Sequence, residues 1–392
     1  MRLLHVEATG FPLFKSGLCF SLIAQQRVAS DDKACLYNLK KGSPFFLNSV
    51  TSVIGINASG KTSVLKVILL ALDILGNEPV SHSESKDILG DANDAKLLMT
   101  FLSDSGELCQ LETHLEVLQK ADEKQYRITS ESLKKKALKD VKTKSQLIDF
   151  SKVEPFLSRS DDEHFLADDI SIIIAYNKKN NYHPCVKSLL SMTNANVLPV
   201  SDDISLDVVQ YLDPTIEALY FDKEDRKTVH LKFNAQDEIL LSDPGVLNRF
   251  LSSGTIKGIV VFSYGIQVLK AGGYLVIDEL ENHFNKEITA TLIRLFLNAS
   301  ININGGTLIF STHYPELLDE FDRNDCIFIT RNQNGITMVV LSNLLKRNDV
   351  KKSEAYQSDM FAGTAPSYEA YMKLKNNLVS SLKGESSDGG TW

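Results

Sequence analysis

Hydrophobic and polar residues alternate along the first 47 positions of the chain, around turn signals such as Gly10-Phe11-Pro12. This alternation predicts short antiparallel strands. The β-branched run Val50–Ile54 then leads into a glycine-rich turn, and the hydrophobic residues of Lys61–Leu75 recur at the spacing of a helix. A strand, a loop and a helix are therefore predicted in direct succession.

A change from strand to helix periodicity returns in the last third of the chain. The pattern predicts helices at residues 246–251, 255–269 and 286–297, and strands at residues 274–277 and 307–311. Alternating elements of this kind are typical of an α/β fold. Earlier in the chain, residues 96–102 and 106–117 alternate as a hairpin, which predicts an antiparallel sheet beside the main one.

The composition shifts between residues 118 and 152, where basic side chains outnumber acidic ones by about two to one. The lysines concentrated there are Lys134, Lys135, Lys136, Lys139, Lys142 and Lys144. We interpret this segment as an insertion whose lysines either form the solvated face of a helix or contact nucleic acid. The insertion continues to Pro244, with an apolar run at 170–174 and a strand-like run at 228–233.

The overall composition, with 43% hydrophobic and 23% charged residues and a net charge of −8, is that of a globular protein. No hydrophobic run reaches the roughly 18 residues of a membrane span, and the N-terminus lacks the pattern of a signal peptide. We therefore expect a soluble, cytoplasmic protein without membrane contact. The five cysteines are scattered and lack CxxC spacing, so we expect reduced thiols.

The glycine-rich turn matches the phosphate-loop pattern. Its residues are Gly55, Ile56, Asn57, Ala58, Ser59, Gly60, Lys61 and Thr62. Glycines let successive backbone N–H groups approach a β-phosphate, and the start of a helix adds positive potential. In this pattern Lys61 would bind the phosphate oxygens of ATP, and Thr62 would bind Mg²⁺.

Two later strands end in polar residues that suit phosphate chemistry. The strand at 274–277 leads directly into Asp278, which would hold Mg²⁺, and Glu279, which would activate water as the catalytic base. His313 follows the next strand and would lie at the carboxyl edge of the sheet, where it could sense the γ-phosphate. Taken singly, each of these motifs is also compatible with a structural role.

The turn Leu251-Ser252-Ser253-Gly254-Thr255 lies between two predicted helices. It would present hydroxyl and N–H groups at a helix start, although ordinary loops have the same composition. In order along the chain, the phosphate loop, this Ser-Ser-Gly turn, the Asp-Glu pair and the histidine resemble the ABC-type ATPases, and most closely their SMC/RecF/OLD-like branch. The resemblance implies an α/β ATPase head, with a mixed sheet flanked by helices and a large α+β insertion.

This resemblance covers about residues 1–75 and 240–345. It implies a head-to-tail homodimer with ATP at the interface, in which the Ser-Ser-Gly turn of one protomer acts as the signature that completes the site of the other. Higher oligomers stay open. His313 takes the switch position of the family. The chain departs from the usual signature at Ser253, where glycine is usual, and at Thr255, where glutamine is usual.

Residues 353–363 are similar to a C-terminal segment of small bacterial stand-alone ATPases associated with abortive infection and phage defence. We therefore predict a Mg²⁺-dependent ATPase that acts as a nucleotide-driven switch in defence, with a separate effector such as a nuclease or toxin. OLD proteins carry a nuclease after the ATPase, but no acidic cluster suited to two metal ions follows His313 here. The alternative is a RecF-like DNA repair ATPase that binds DNA. Nucleic acid is therefore kept as a second candidate partner.

These patterns divide the chain into four predicted segments. Residues 1–75 and 245–379 would form the two parts of the ATPase head. Residues 76–244 would supply the hairpin, the insertion and a surface for recognition or partner binding. Residues 380–392, which are rich in glycine and serine, would be a disordered tail.

Overall fold

The computed structural model describes residues 1–120, 123–159, 166–180, 184–191, 198, 204–225, 227–282, 284–347, 349–364 and 368–385. The strands are β1 (Arg2–Thr9), β2 (Leu18–Ser21), β3 (Leu36–Asn38), β4 (Phe46–Asn48), β5 (Val50–Ile54), β6 (Ala95–Leu102), β7 (Glu107–Lys120), β8 (Glu123–Ala137), β9 (Pro155–Arg159), β10 (Val186–Ser188), β11 (Ile216–Phe221), β12 (Val229–Phe233), β13 (Ile239–Leu241), β14 (Tyr274–Ile277), β15 (Thr307–Thr312), β16 (Ile327–Asn332) and β17 (Ile336–Val340). The helices are α1 (Lys61–Leu75), α2 (Lys144–Ile148), α3 (Ile173–Asn180), α4 (Leu206–Leu212), α5 (Ser253–Ala271), α6 (Lys286–Leu297), α7 (Leu341–Leu344), α8 (Lys352–Gln357) and α9 (Tyr368–Glu385).

The main sheet has six strands in the order β10-β14-β15-β5-β16-β17. The first five run parallel, and β17 pairs with β16 in the antiparallel direction. β5, β14 and β15 are buried along their whole length, as expected for parallel strands covered on both faces. The sheet confirms the predicted α/β class, and its parallel direction brings the residues that follow β5, β14 and β15 to one edge.

The two faces of the main sheet pack against separate hydrophobic cores. In β14, Tyr274 and Val276 belong to the core that includes α1, whereas Leu275 and Ile277 belong to the core that includes α5 and α6. This division follows from the alternation of side chains along a strand. The main sheet is therefore a fixed layer that positions the loops at its edge.

A second six-stranded sheet, of order β2-β1-β6-β7-β8-β9, is antiparallel throughout. Hydrophobic residues of β1 and β6 share one core with α1, which is buried on nearly every side. A helix that is hydrophobic all round belongs between two layers. The hairpin predicted at 96–102 and 106–117 is confirmed as β6 and β7.

The lysine-rich segment does not form the helix face considered from the sequence. Lys135 and Lys136 lie on β8, inside the second sheet, because the hairpin continues through this segment. Lys136 donates hydrogen bonds of 2.6 Å to the carbonyls of Gln146 and Asp149. Lys144 donates bonds of 3.0 and 2.9 Å to two carbonyls of the loop after β2. Several of these lysines therefore bind groups of the protein itself.

The remaining part of the predicted insertion contains a small antiparallel sheet, β11-β12-β13, which packs against α4. The strand predicted at 228–233 is confirmed as β12, and the apolar run at 170–174 leads into α3. The helix predicted at 246–251 is instead a 3-10 helix at Pro244–Arg249. None of the helices in the described ranges is long and apolar enough to cross a membrane.

The last helix, α9, ends at Glu385. The prediction of a disordered tail is therefore wrong for residues 380–385, where Leu382 continues the helical spacing of Leu374 and Leu378. Residues 386–392 lie outside the described residues.

Candidate functional site

The glycine-rich turn between β5 and α1 requires glycine at two of its positions. Gly60 has a φ of 96°, and a Cβ there would lie 2.6 Å from the side chain of Ile336. A Cβ on Gly55 would lie 2.2 Å from the Ser59 hydroxyl and 2.4 Å from that of Thr330. The absence of these side chains leaves the backbone N–H groups accessible to a phosphate at close range.

Lys61 begins α1 and is only 6% exposed. Its Nζ donates to the carbonyls of Gly55 and Ile56 at 3.0 and 3.2 Å, and it lies 3.2 Å from Nδ1 of His313. Burial lowers the pKa of the ammonium, and the charges of three nearby carboxylates oppose that shift. Those carboxylates belong to Asp278, Glu279 and Glu281.

The two acids predicted at the end of β14 meet residues of β15 and α1. Oδ2 of Asp278 accepts a hydrogen bond of 2.6 Å from the Thr62 hydroxyl, and Oδ1 accepts one from Ser311. Glu279 has a φ of 49°, in the left-handed region that is costly for a residue with a side chain. Its N–H donates to the Ser311 hydroxyl at 2.8 Å. Ser311 therefore orients both acids.

His313 connects the lysine of the phosphate loop to the second acid. Its Nε2 lies 3.1 Å from Oε1 of Glu279, and its Nδ1 faces the Lys61 ammonium. An ammonium can only donate, so Nδ1 accepts and Nε2 carries the proton that is donated to Glu279. The backbone N–H of His313 donates to Oε1 of Glu281.

The phosphate loop, Glu279 and His313 line an open cleft at the carboxyl edge of the main sheet. Its lining residues are Leu13, Asn57, Ala58, Ser59, Gly60, Lys61, Thr62, Ser63, Glu279, His313, Asn332 and Ile336. The structure thus brings together the predicted phosphate-loop residues, Glu279 and His313, with Asp278 hydrogen-bonded to Thr62 beside them.

A family model matches residues 50–319, which is more than half of the chain, and its description reads "AAA domain, putative AbiEii toxin, Type IV TA system". The chain belongs to this AAA domain family. Membership indicates an ATP-binding ATPase of the kind found in abortive-infection systems. No curated protein matches the chain.

The Ser-Ser-Gly turn of this AAA domain is not among the residues that line the cleft, as far as the chain is described. Ser252 caps α5, since its hydroxyl accepts a bond of 3.0 Å from the N–H of Thr255. Ser252 is exposed, and Ser253 and Gly254 are half-buried. The turn is thus accessible at a helix N-terminus.

Three residues of the site were not singled out by sequence reasoning. They are Ser311, Thr330 and Asn332. The Thr330 hydroxyl lies 2.8 Å from that of Ser59, and the Asn332 amide donates to the carbonyl of Ala58 at 3.2 Å. Ser311 could have been found, because it lies near the end of β15, directly before the polar turn that carries His313. Thr330 and Asn332 follow no motif, and only the pairing of β16 with β5 brings them to the loop.

The donor set beside the phosphate loop fits a hard cation. The Thr62 hydroxyl and the Asp278 carboxylate are oxygen ligands of the kind that Mg²⁺ prefers, and they already lie within 2.6 Å of each other. No group of three or more histidine, cysteine or acidic side chains able to hold a metal occurs in the described part of the chain. A Mg²⁺ ion here would take its other ligands from water and from the phosphates of a nucleotide.

Proposed function

We propose that this AAA domain hydrolyses ATP with Mg²⁺ and acts as a nucleotide-driven switch in bacterial anti-phage defence, through a separate effector. The observation that carries the proposal is the position of His313, whose ring touches both Lys61 and Glu279. A side chain in contact with both the phosphate-binding cation and the candidate base would respond to the γ-phosphate between them. The family match supports the link to defence.

Binding of the triphosphate would rest on the phosphate loop. Its N–H groups would donate to the β-phosphate, and Lys61 would exchange its bonds to two loop carbonyls for phosphate oxygens. Thr62 and Asp278 would hold Mg²⁺, which would neutralise part of the phosphate charge. Ser311 would keep Asp278 oriented through its hydrogen bond.

Hydrolysis would rest on Glu279. Its carboxylate lies at the cleft, is partly exposed and could accept a proton from an attacking water. The strained backbone of Glu279 is held by the Ser311 hydroxyl, so the carboxylate is positioned before substrate arrives. His313, with its proton on Nε2, would orient that carboxylate and register loss of the γ-phosphate.

Turnover of ATP does not by itself harm a phage, so a defence role requires an output. Two conformations biased by nucleotide can change the affinity for a bound partner. We propose that this partner is a nuclease or similar toxin, held inactive until a phage signal arrives, and that residues 76–244 provide a surface for it.

This proposal predicts that phage protection depends on ATP turnover. The protein should be expressed with its neighbouring genes, purified by a tag, and compared as wild type and Glu279→Gln in cells challenged with phage. We expect a co-purifying effector and protection that the variant lacks. A lone protein that gives no protection and binds DNA ends tightly would instead favour the RecF-like alternative.

A second prediction concerns the proposed head-to-tail homodimer, in which Ser252 and Gly254 would complete the site of the other protomer. Lys61→Ala and Ser252→Arg should each abolish turnover alone. A mixed dimer would retain one site with an intact phosphate loop and an intact turn, so random exchange should restore about a quarter of wild-type turnover. Mixtures that never recover activity, although subunit exchange is shown by labelling, would contradict the sandwich.

A further inference from the structure

A lysine of α5 lies buried next to the acids of the site. Lys257 is the fifth residue of the helix that the Ser-Ser-Gly turn begins, and it is only 4% exposed. A buried ammonium is costly unless nearby negative charge offsets its loss of water. Burial lowers the pKa of Lys257, and three carboxylates oppose the shift. They belong to Glu279, Glu281 and Asp278.

Glu281 is the buried acid among these three that the proposed chemistry does not use. It is 6% exposed, and Oε1 accepts the backbone N–H of His313. Oε2 is buried and has no hydrogen-bond partner among the described residues. A carboxylate in this setting depends on nearby positive charge.

The turn that carries Glu279 and Glu281 is closed and faces Lys257. The N–H of Asn282 donates to the carbonyl of Glu279 at 2.9 Å, and that of Phe284 donates to the carbonyl of Glu281 at 3.0 Å. Nζ of Lys257 lies 5.9 Å from the centre of the Phe284 ring. The Lys257 ammonium thus lies beside the turn that carries Glu279. The same turn carries Glu281, which accepts the backbone N–H of His313.

We propose that Lys257 and Glu281 are positioning residues that tie the start of α5 to His313. Lys257 supplies the charge that keeps Glu281 buried, and Glu281 holds the backbone of His313, whose ring touches Lys61 and Glu279. A shift at the N-terminal end of α5 would therefore be passed to the γ-phosphate side of the cleft. This inference rests on the proposed hydrolysis of ATP and adds a link between the Ser-Ser-Gly turn and the site on the same chain.

The test separates binding from turnover in Lys257→Met and Glu281→Gln. Neither residue lines the cleft, so the dissociation constant for ATP should stay within about threefold of wild type, whereas kcat should fall at least about tenfold. Lys257→Arg, which keeps the charge, should recover part of the lost kcat. In the double variant the loss of kcat should not exceed the larger single loss, because both substitutions break one link.

Lys352→Met is the matched control. Lys352 is likewise 4% exposed, on α8, and its nearby acids are Asp319 and Asp322 rather than those of the cleft. This variant should lower the melting temperature and leave kcat unchanged. If the Lys257 and Glu281 variants melt lower but keep wild-type kcat, the inference is overturned. A wild type that binds ATP without turnover would instead overturn the proposed hydrolysis itself. The two failures can therefore be told apart by the activity of the wild type.

Discussion

Lys61→Ala is expected to weaken ATP binding at least about 100-fold. The ammonium is the cation that the phosphate loop points at the β- and γ-phosphates, and its charge-assisted bonds to phosphate are among the stronger polar contacts in proteins. The change should leave the fold intact, because Nζ lies at an open cleft and its partners among the described residues are loop carbonyls and His313. Calorimetric titration with ATP and Mg²⁺ would measure the loss.

Lys66→Ala is the appropriate control for this experiment. Lys66 lies on the same helix but pairs with Asp87 outside the cleft. Its replacement should leave ATP affinity unchanged. Equal affinity in Lys61→Ala and wild type would mean that the glycine-rich turn does not bind the triphosphate.

Glu279→Gln is expected to keep ATP and lose about 10²- to 10³-fold in kcat. The amide has the shape of the carboxylate and can still accept a hydrogen bond from Nε2 of His313, but it cannot take a proton from water. Binding should hold, because the phosphate loop and the Thr62–Asp278 pair remain. Phosphate release at saturating ATP, together with a binding titration, would measure both quantities.

Glu287→Gln provides a matched comparison, since this exposed acid of α6 pairs with Arg294 away from the cleft. Wild-type turnover is expected for it. A Glu279→Gln variant that hydrolyses ATP at the wild-type rate would exclude Glu279 as the base. Loss of binding together with turnover would instead point to a structural effect on the loop.

The parts of the fold that follow from local patterns could be predicted from the sequence. Three elements, Lys61–Leu75, Tyr274–Ile277 and Lys286–Leu297, have the predicted bounds. The two helices are periodic runs, and the strand is a continuous hydrophobic run that ends at two acids. The meeting of the phosphate loop with Asp278 and His313 also follows from the sequence, since parallel strands present their carboxyl ends at one edge. The ABC-type branch and the dimer stay predictions.

The rest depends on contacts between distant segments. The lysines of 134–136 suggested a helix face because their charges mask the alternation of β8, which is set by its pairing with β7. The role of Thr330 arises only from the pairing of β16 with β5. No pattern in the sequence distinguishes Lys257 either, since a lysine in a helix is normally solvated. Only its burial near the acids of the site marks it.

The last two strands of the main sheet, β16 and β17, have a consequence for how far the nucleotide-binding unit extends. Thr330, Asn332 and Ile336 support the phosphate loop, yet all three lie beyond residue 319, where the family match ends. A chain shortened to that boundary would expose one side of β5 as an unpaired edge, and Ser59 and Ala58 would lose their partners. A minimal autonomous version of the domain must therefore continue through Val340, and any exchange of modules between relatives would need its junction after β17.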